Sequence, residues 1–230
     1  MAIKPILFNT EMVRAILDGR KSCTRRLIKP QQFNGLLPDK CKNAMPDEFL
    51  KRKNMMLKPY CDMTDSELIS TAYNSPYQPG DILYVRETWE RFECWNCEGD
   101  ERGNCPKEPK KSVWDKTCGC YMYRATDEIS GDAKWHPSIH MPKEAARIWL
   151  CVTDVRIERL QEINAGSALA EGADKYIRTN GELNESMIIT SFIGIWNSTI
   201  KKGDLDYHGW DANPFVWVVS FERCKKPEGT

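Results

Sequence analysis

The chain has 230 residues and a formal net charge of zero, with hydrophobic residues at 41% and charged residues at 29%. Eight Trp, eight Tyr and seven Phe exclude wholesale disorder, and no apolar run approaches the roughly 18 residues that a membrane span needs. The N-terminal segment MAIKPILFNT lacks the apolar core of a signal peptide, so we expect a cytoplasmic protein without a membrane partner.

The zero net charge hides a basic N-terminal part. Residues 1–60 contain 13 Lys and Arg against 5 Asp and Glu, a local net charge of +8. A basic face on a neutral protein predicts an anionic partner such as nucleic acid. The alternative is a solvated, lysine-rich loop at 51–58, and charge alone does not choose between the two.

The predicted elements are short strands with two or three helices between them. The first helix covers 10–19, with Asn9 or Thr10 as its N-cap and Gly19 at its end. The other helices are predicted at 163–173, ended by Gly172, and at 187–200. Strands are predicted within 6–8, 19–30, 79–89, 121–126, 148–157 and 213–224. Residues 31–75 and 91–120 are predicted insertions. Together these elements predict one α+β domain over 1–230, a small, largely β barrel decorated by helices.

Five motifs follow one another in this sequence: GRKSCTRR, PGDILYVRETW, W-x-P-S-I-H-M-P, VTDVRIERLQEI…ALAEG and NPFVWVVSFER. In this order they resemble the ASCH family, which has a PUA-like β-barrel fold, and most closely the longer ASCH proteins of phages and prophages. The resemblance covers residues 3–30, 76–92 and 121–224. It implies a cleft that binds RNA or a modified nucleobase. Some small ASCH proteins are amidohydrolases that act on N4-acetylcytidine, and others are described as ribonucleases.

The family motif G-x-K-x-x-T is present, and its catalytic Lys and Thr correspond to Lys21 and Thr24. The family's catalytic Glu corresponds to Glu171, although Glu162 lies nearby. The chemistry is coherent by itself, because a Thr hydroxyl needs a neighbouring base before it can act as a nucleophile. A Lys can serve as that base where burial or cationic neighbours lower its pKa. The alternative is that Lys21 is a helix C-terminal cation and Thr24 a turn residue.

A second set of residues is predicted to contact nucleic acid around the same cleft. The cations suit phosphate oxygens or base edges, and a Trp can stack on a base. There are structural alternatives to this binding role. Arg86 could form an ion pair with Glu87, and Trp89 could be a core residue. The predicted set is Arg20, Arg25, Arg26, Lys29, Arg86 and Trp89.

Five of the ten cysteines fall within one insertion, at Cys94, Cys97, Cys105, Cys118 and Cys120. The first two have the C-x2-C spacing of structural zinc, and four thiolates complete a tetrahedral site. We therefore predict one structural zinc held by four of the five, which would order a polar loop that has no core of its own. The alternative is a reduced cysteine loop without metal.

Three functions are consistent with these features. The first is a hydrolase that removes an N-acyl group from a modified cytidine, with RNA or a modified nucleoside as its ligand. The second is a non-catalytic RNA-binding module with the same cleft. The third is a phage protein that binds a host factor through its insertions. The sequence does not define the oligomeric state.

Overall fold

The structure is a computed structural model of the chain. It describes residues 1–28, 75–93, 110–111, 118–128, 134–174 and 184–228. The predicted insertion 31–75 lies outside the described residues except for its last residue, and the insertion 91–120 lies mostly outside them.

The described residues form a mixed α+β structure, as predicted. The strands are β1 (Ile3–Leu7), β2 (Cys23–Leu27), β3 (Ile82–Arg86), β4 (Trp89–Glu93), β5 (Lys110–Lys111), β6 (Cys118–Tyr123), β7 (Trp149–Arg159) and β8 (Phe215–Cys224). The α-helices are α1 (Thr10–Leu17), α2 (Ala165–Ala170), α3 (Glu185–Thr199) and α4 (Leu205–His208). Short 3-10 turns cover Ser138–His140, Lys143–Ala145, Leu160–Glu162 and Lys202–Asp204.

The strands form two sheets. Five strands are hydrogen-bonded in the order β1-β3-β7-β8-β2, and three in the order β4-β6-β5. β1 runs parallel to β3, whereas β2 runs antiparallel to β8. Among the described residues neither sheet closes into a barrel, so the coarse α+β class is confirmed and the barrel is not formed by these strands. No helix in these parts of the chain is long and apolar enough to cross a membrane.

The chain divides into two compact units, each built from separate segments. The first unit comprises Met1 and the described parts of Arg20–Asp81 and Cys151–Glu222. Helix α3 begins at its N-cap Asn184 and buries an apolar face against β8 and the region of α2. The core of this unit is Leu160, Ile163, Ala168, Ala173, Ile188, Phe192, Trp196, Val216 and Val218.

The second unit comprises Ala2–Gly19, the described parts of Ile82–Leu150, and the chain from Arg223 onward. Its helix α1 begins where the Asn9 side chain accepts a hydrogen bond of 2.9 Å from the Met12 amide. Gly19 follows the helix with φ +74°, a conformation that favours glycine, so the predicted start and end of this helix are confirmed. Its aromatic core contains Tyr121, Tyr123, Met141, Ala145, Ala146 and Trp149.

Candidate catalytic site in the first unit

The end of helix α2 fixes the position of Glu171. The Ala173 amide donates to the Ala168 carbonyl at 3.1 Å, and the Gly172 amide donates to the Leu169 carbonyl at 2.8 Å. These two bonds form a Schellman motif, which requires the left-handed conformation that Gly172 adopts at φ +84°. Ala168 and Ala173 are fully buried. The motif therefore holds Glu171, the C-cap residue, in one backbone position.

Lys21 lies directly beside Glu171. The two residues form an isolated antiparallel bridge just before β2 begins. The Lys21 Nζ donates to the Glu171 Oε2 at 2.8 Å, to the Glu171 carbonyl at 3.0 Å and to the Cys23 carbonyl at 2.7 Å. An ammonium group has three N–H donors and no acceptor. With three acceptors in place, this buried geometry is that of a paired ammonium rather than a free base.

The carboxylate near Lys21 is that of Glu171 and not of Glu162. Glu162 is exposed, and its Oε2 accepts a hydrogen bond of 2.9 Å from the Arg159 backbone amide. Its side chain therefore caps the 3-10 turn that follows β7. Of the two candidate carboxylates, the structure brings Glu171 to Lys21.

Arg25 links Glu171 to a second carboxylate. Its Nη1 lies 3.3 Å from the Glu171 Oε1, and its Nη2 lies 2.8 Å from the Glu158 Oε2. The Arg25 side chain is 1% exposed, and its Cζ lies 5.8 Å from the centre of the Phe192 ring. This predicted phosphate ligand is thus buried between two carboxylates and an aromatic face.

The ion pairs continue outward along β7. Arg156 donates to Glu158 at 2.6 Å and to Asp154 at 3.0 Å. Burial acts against the charge of Arg156, but the hydrogen bonds to Glu158 and Asp154 outweigh it and raise the pKa of its guanidinium. The result is a charge chain of alternating sign that runs from exposed to buried groups: Asp154, Arg156, Glu158, Arg25, Glu171 and Lys21.

Thr24 is buried on β2, directly opposite Val219 of β8. Arg25 is opposite Val218. Because successive strand residues point to opposite faces, the Thr24 side chain leaves the sheet on the face away from Arg25. Within the described residues no hydrogen bond links the Thr24 hydroxyl to Lys21 or Glu171. The structure therefore brings the predicted catalytic Lys21 and Glu171 into contact. Thr24, the predicted nucleophile, is close to Lys21 in sequence but is not hydrogen-bonded to either residue.

A cavity of about 330 Å³ with both polar and apolar lining includes Ser22 and Ala170, the chain neighbours of Lys21 and Glu171. Cys23, whose carbonyl accepts from Lys21, contributes to its wall. Burial, with a smaller contribution from Glu171, raises the pKa of the Cys23 thiol to about 11. At neutral pH that thiol is protonated and is not a nucleophile. The cavity is lined by Ser22, Cys23, Thr153, Arg156, Ser167, Ala170, Ser220, Phe221 and Glu222.

Two further predicted nucleic-acid ligands belong to this unit. Arg20 lies 2.5 Å from the Asp174 Oδ1, so its charge is paired. Burial lowers the pKa of Arg26, while Tyr77 and Glu171 act in the opposite direction. Burial likewise raises the pKa of Tyr77, and Arg26 opposes that shift. Arg26 is half-buried, and Tyr77 and Glu171 are the groups that act on its charge.

The remaining predicted nucleic-acid ligands lie elsewhere. Arg86 and Trp89 belong to the second unit, where Arg86 donates to the Met141 and Ile139 carbonyls. Trp89 packs against Tyr121 and His136, with ring centres 5.7 and 5.2 Å away. Lys29 lies outside the described residues. A shared cleft for all six residues stays a prediction.

Glu87 pairs with Arg147 and not with Arg86. The two N–O distances of this bidentate pair are both 2.9 Å, and the Glu87 side chain is 1% exposed. The Arg147 guanidinium also lies over the Tyr123 ring, with its Cζ 4.0 Å from the ring centre. The predicted Arg86–Glu87 alternative is therefore replaced by a buried Glu87–Arg147 pair.

Three of the five predicted zinc ligands, Cys94, Cys97 and Cys105, lie outside the described residues. Cys118 and Cys120 are on β6, and Cys120 is buried and not disulfide-bonded. The residues that the structure describes contain no group of three or more potential metal ligands. The zinc site stays a prediction.

The outer half of the charge chain was not predicted from the sequence. Asp154, Arg156 and Glu158 are spaced by two residues in the motif VTDVRIER, and all three lie on β7. On a strand this spacing places side chains on one face. This alternation of acidic, basic and acidic residues was the sequence signal that could have predicted a row of ion pairs on β7.

The chain matches no known family model, no curated protein and no solved structure.

Proposed function

We propose that the first unit is part of an ASCH-like, PUA-like protein that binds a nucleobase of RNA or a modified nucleoside and removes an N-acyl group from a modified cytidine. The observation that carries this proposal is the 2.8 Å contact between Lys21 Nζ and Glu171 Oε2. The two residues are 150 positions apart in sequence, and the resemblance had paired them as catalytic groups. Burial of both side chains further supports a specific role, because ionisable residues are seldom buried without one.

The chemistry starts from the ammonium form of Lys21. Lys21 first passes a proton to the Glu171 Oε2 that it contacts, because an ammonium has no lone pair with which to accept the Thr24 proton. The Thr24 hydroxyl then attacks the acyl carbon while its proton moves to the Lys21 amine, a step that requires Thr24 and Lys21 to approach each other when the ligand binds, because no hydrogen bond joins them in the described part of the chain. As the C–N bond breaks, Glu171 returns its proton to the departing exocyclic nitrogen. Water releases the acyl group from Thr24 as a carboxylic acid by the same proton transfers, and the resting state is restored.

The experiment incubates the pure protein with acylated nucleosides, N4-acetylcytidine among them, and with short RNAs, and identifies the products by mass. We expect cytidine and free acid from wild type and from Thr24→Ser, and neither from Thr24→Val. Thr190→Val is the matched control, because the Thr190 hydroxyl is exposed and bonds only locally, to the Ser186 carbonyl. Equal turnover by Thr24→Val and wild type would exclude Thr24 as the nucleophile. Cleaved RNA would instead indicate ribonuclease activity.

One observation favours a second candidate, a non-catalytic RNA-binding module. Lys21 has a full set of acceptors, which suits a structural cation as well as a resting catalyst. In that case RNA binds without any product, and its affinity falls as salt rises because neutralised phosphates release counterions. Binding that is independent of salt would contradict this candidate.

A further inference from the structure

Arg25 combines three properties that a surface phosphate ligand does not have. Its side chain is 1% exposed. Its two terminal nitrogens bind different carboxylates, those of Glu171 and Glu158. Its guanidinium faces the ring of Phe192, itself 3% exposed and part of the apolar core. A group in this environment has no open side for a phosphate.

Glu171 is held from two sides. Its Oε2 accepts from Lys21 at 2.8 Å, and its Oε1 lies 3.3 Å from Arg25. A carboxylate with one cation on each oxygen cannot rotate about its terminal bond without losing one of them. Because Arg25 holds Oε1, it fixes the orientation of the carboxylate and therefore the position of Oε2 relative to the Lys21 Nζ.

We propose that Arg25 is a positioning residue that orients the Glu171 carboxylate toward Lys21, with Glu158 as the anchor that holds Arg25 in place. This inference rests on the proposed function in one respect, that Lys21 and Glu171 are the reacting pair. It replaces the predicted role of Arg25 as a nucleic-acid ligand. Arginine suits the task because its planar fork bridges two carboxylates at once, whereas lysine is a point charge.

The first test measures Lys21 without requiring activity. Reductive methylation of Lys21 is followed by peptide mass spectrometry in wild type and Arg25→Gln, relative to the exposed Lys201 and Lys202. We expect Lys21 to be protected in wild type. In Arg25→Gln it should react about tenfold faster, the effect of losing one charge-assisted hydrogen bond, that between Arg25 and Glu171. Amide exchange in β8 must stay near the wild-type rate, which separates a local effect from general loss of stability.

Arg159→Gln is the matched control. Arg159 is in the same unit and its Cζ also lies over an aromatic ring, 3.5 Å from the centre of Phe215, but it is not part of the charge chain. We expect wild-type protection of Lys21 in this variant. Arg25→Lys keeps the buried charge but reaches only one carboxylate, so it should give an intermediate rate. If Arg25→Gln does not fold, Arg25→Lys decides the question.

The second test applies if hydrolysis is found. A positioning role lowers kcat in Arg25→Lys and leaves KM and the salt dependence of RNA binding unchanged, whereas a phosphate ligand changes KM and the salt slope. Wild-type protection of Lys21 in both Arg25 variants, or a change confined to KM, would overturn the positioning role. If no hydrolysis occurs but Lys21 becomes reactive in Arg25→Gln, the positioning role stands and the proposed hydrolase function fails.

Discussion

Removing both partners of the Lys21–Glu171 pair should cost much less stability than the two single substitutions cost together. Lys21→Met leaves a Glu171 carboxylate that is 7% exposed and still paired with Arg25, and it takes the donor from two backbone carbonyls. Glu171→Leu leaves a fully buried ammonium that has lost its carboxylate partner and keeps two carbonyl acceptors. Breaking a buried pair from one side costs about 3–5 kcal/mol, because the remaining charge is not compensated.

The double variant Lys21→Met/Glu171→Leu removes both charges and keeps the net charge constant. Its remaining defects are the two carbonyls that lose the Lys21 donor, at about 1–3 kcal/mol each, and the Arg25 Nη1, which loses Glu171 while Arg25 keeps its contact with Glu158. We therefore expect its cost to be close to that of one single variant, and to be well below the combined cost of the two. The coupling energy between the positions should be at least about 2 kcal/mol.

Urea unfolding of the four proteins measures this cycle, with the slope of free energy against urea unchanged across the set. Additive effects of the two substitutions would refute the reasoning. So would single variants that cost less than about 1 kcal/mol, the range of exposed ion pairs.

Two other predictions concern cysteines. Cys23 has its pKa raised from 9.0 to about 11 in the folded state, so its contribution of about 2–3 kcal/mol is complete below pH 9 and is lost as the pH rises from 9 to 11. Between pH 8 and pH 10.5, the urea midpoint should therefore fall further in wild type than in Cys23→Ala. An equal fall in the two proteins would contradict the raised pKa of Cys23. Protein purified without chelator should contain about one zinc per chain, bound by four of the five cysteines at 94–120. Metal-free protein by elemental analysis, or a Cys94–Cys97 disulfide in fresh lysate, would exclude the zinc site.

Most of the helices and strands were predictable because their signals are local, whereas α4, β4 and β5 were not predicted. The spacing of apolar residues in 10–17 and the cap at Asn9 define α1 without reference to the rest of the chain. The same is true of Gly172, which ends the predicted helix at 163–173 through the left-handed conformation. The β-branched residues of 187–200 favour strand, yet burial of Ile188, Phe192 and Trp196 at helical spacing prevails in α3.

The candidate site was predictable only in part, because its contacts are distant in sequence. The choice between Glu171 and Glu162 depends on which carboxylate the fold brings to Lys21, and no local pattern contains that information. The carboxylate contacts of Arg25 were equally hidden, because phosphate and carboxylate attract the same guanidinium. What separates the two roles is burial between Glu158 and Phe192, which long-range packing determines.

The register of β2 determines from which face of the sheet a ligand reaches each candidate residue. Alternation along the strand places Cys23 and Arg25 on one face and Thr24 and Arg26 on the other, since their partners on β8 are Ser220, Val218, Val219 and Trp217 respectively. A ligand in the cavity beside Cys23 contacts the Cys23 face, whereas a ligand attacked by Thr24 must approach the opposite face. Variants of Ser167 or Cys23 that fill the cavity therefore test occupancy of one face, and variants of Thr24 test the other. Because Lys21 precedes the strand and bonds to Glu171, which follows α2, the positions of these two predicted catalytic groups do not depend on this choice of face.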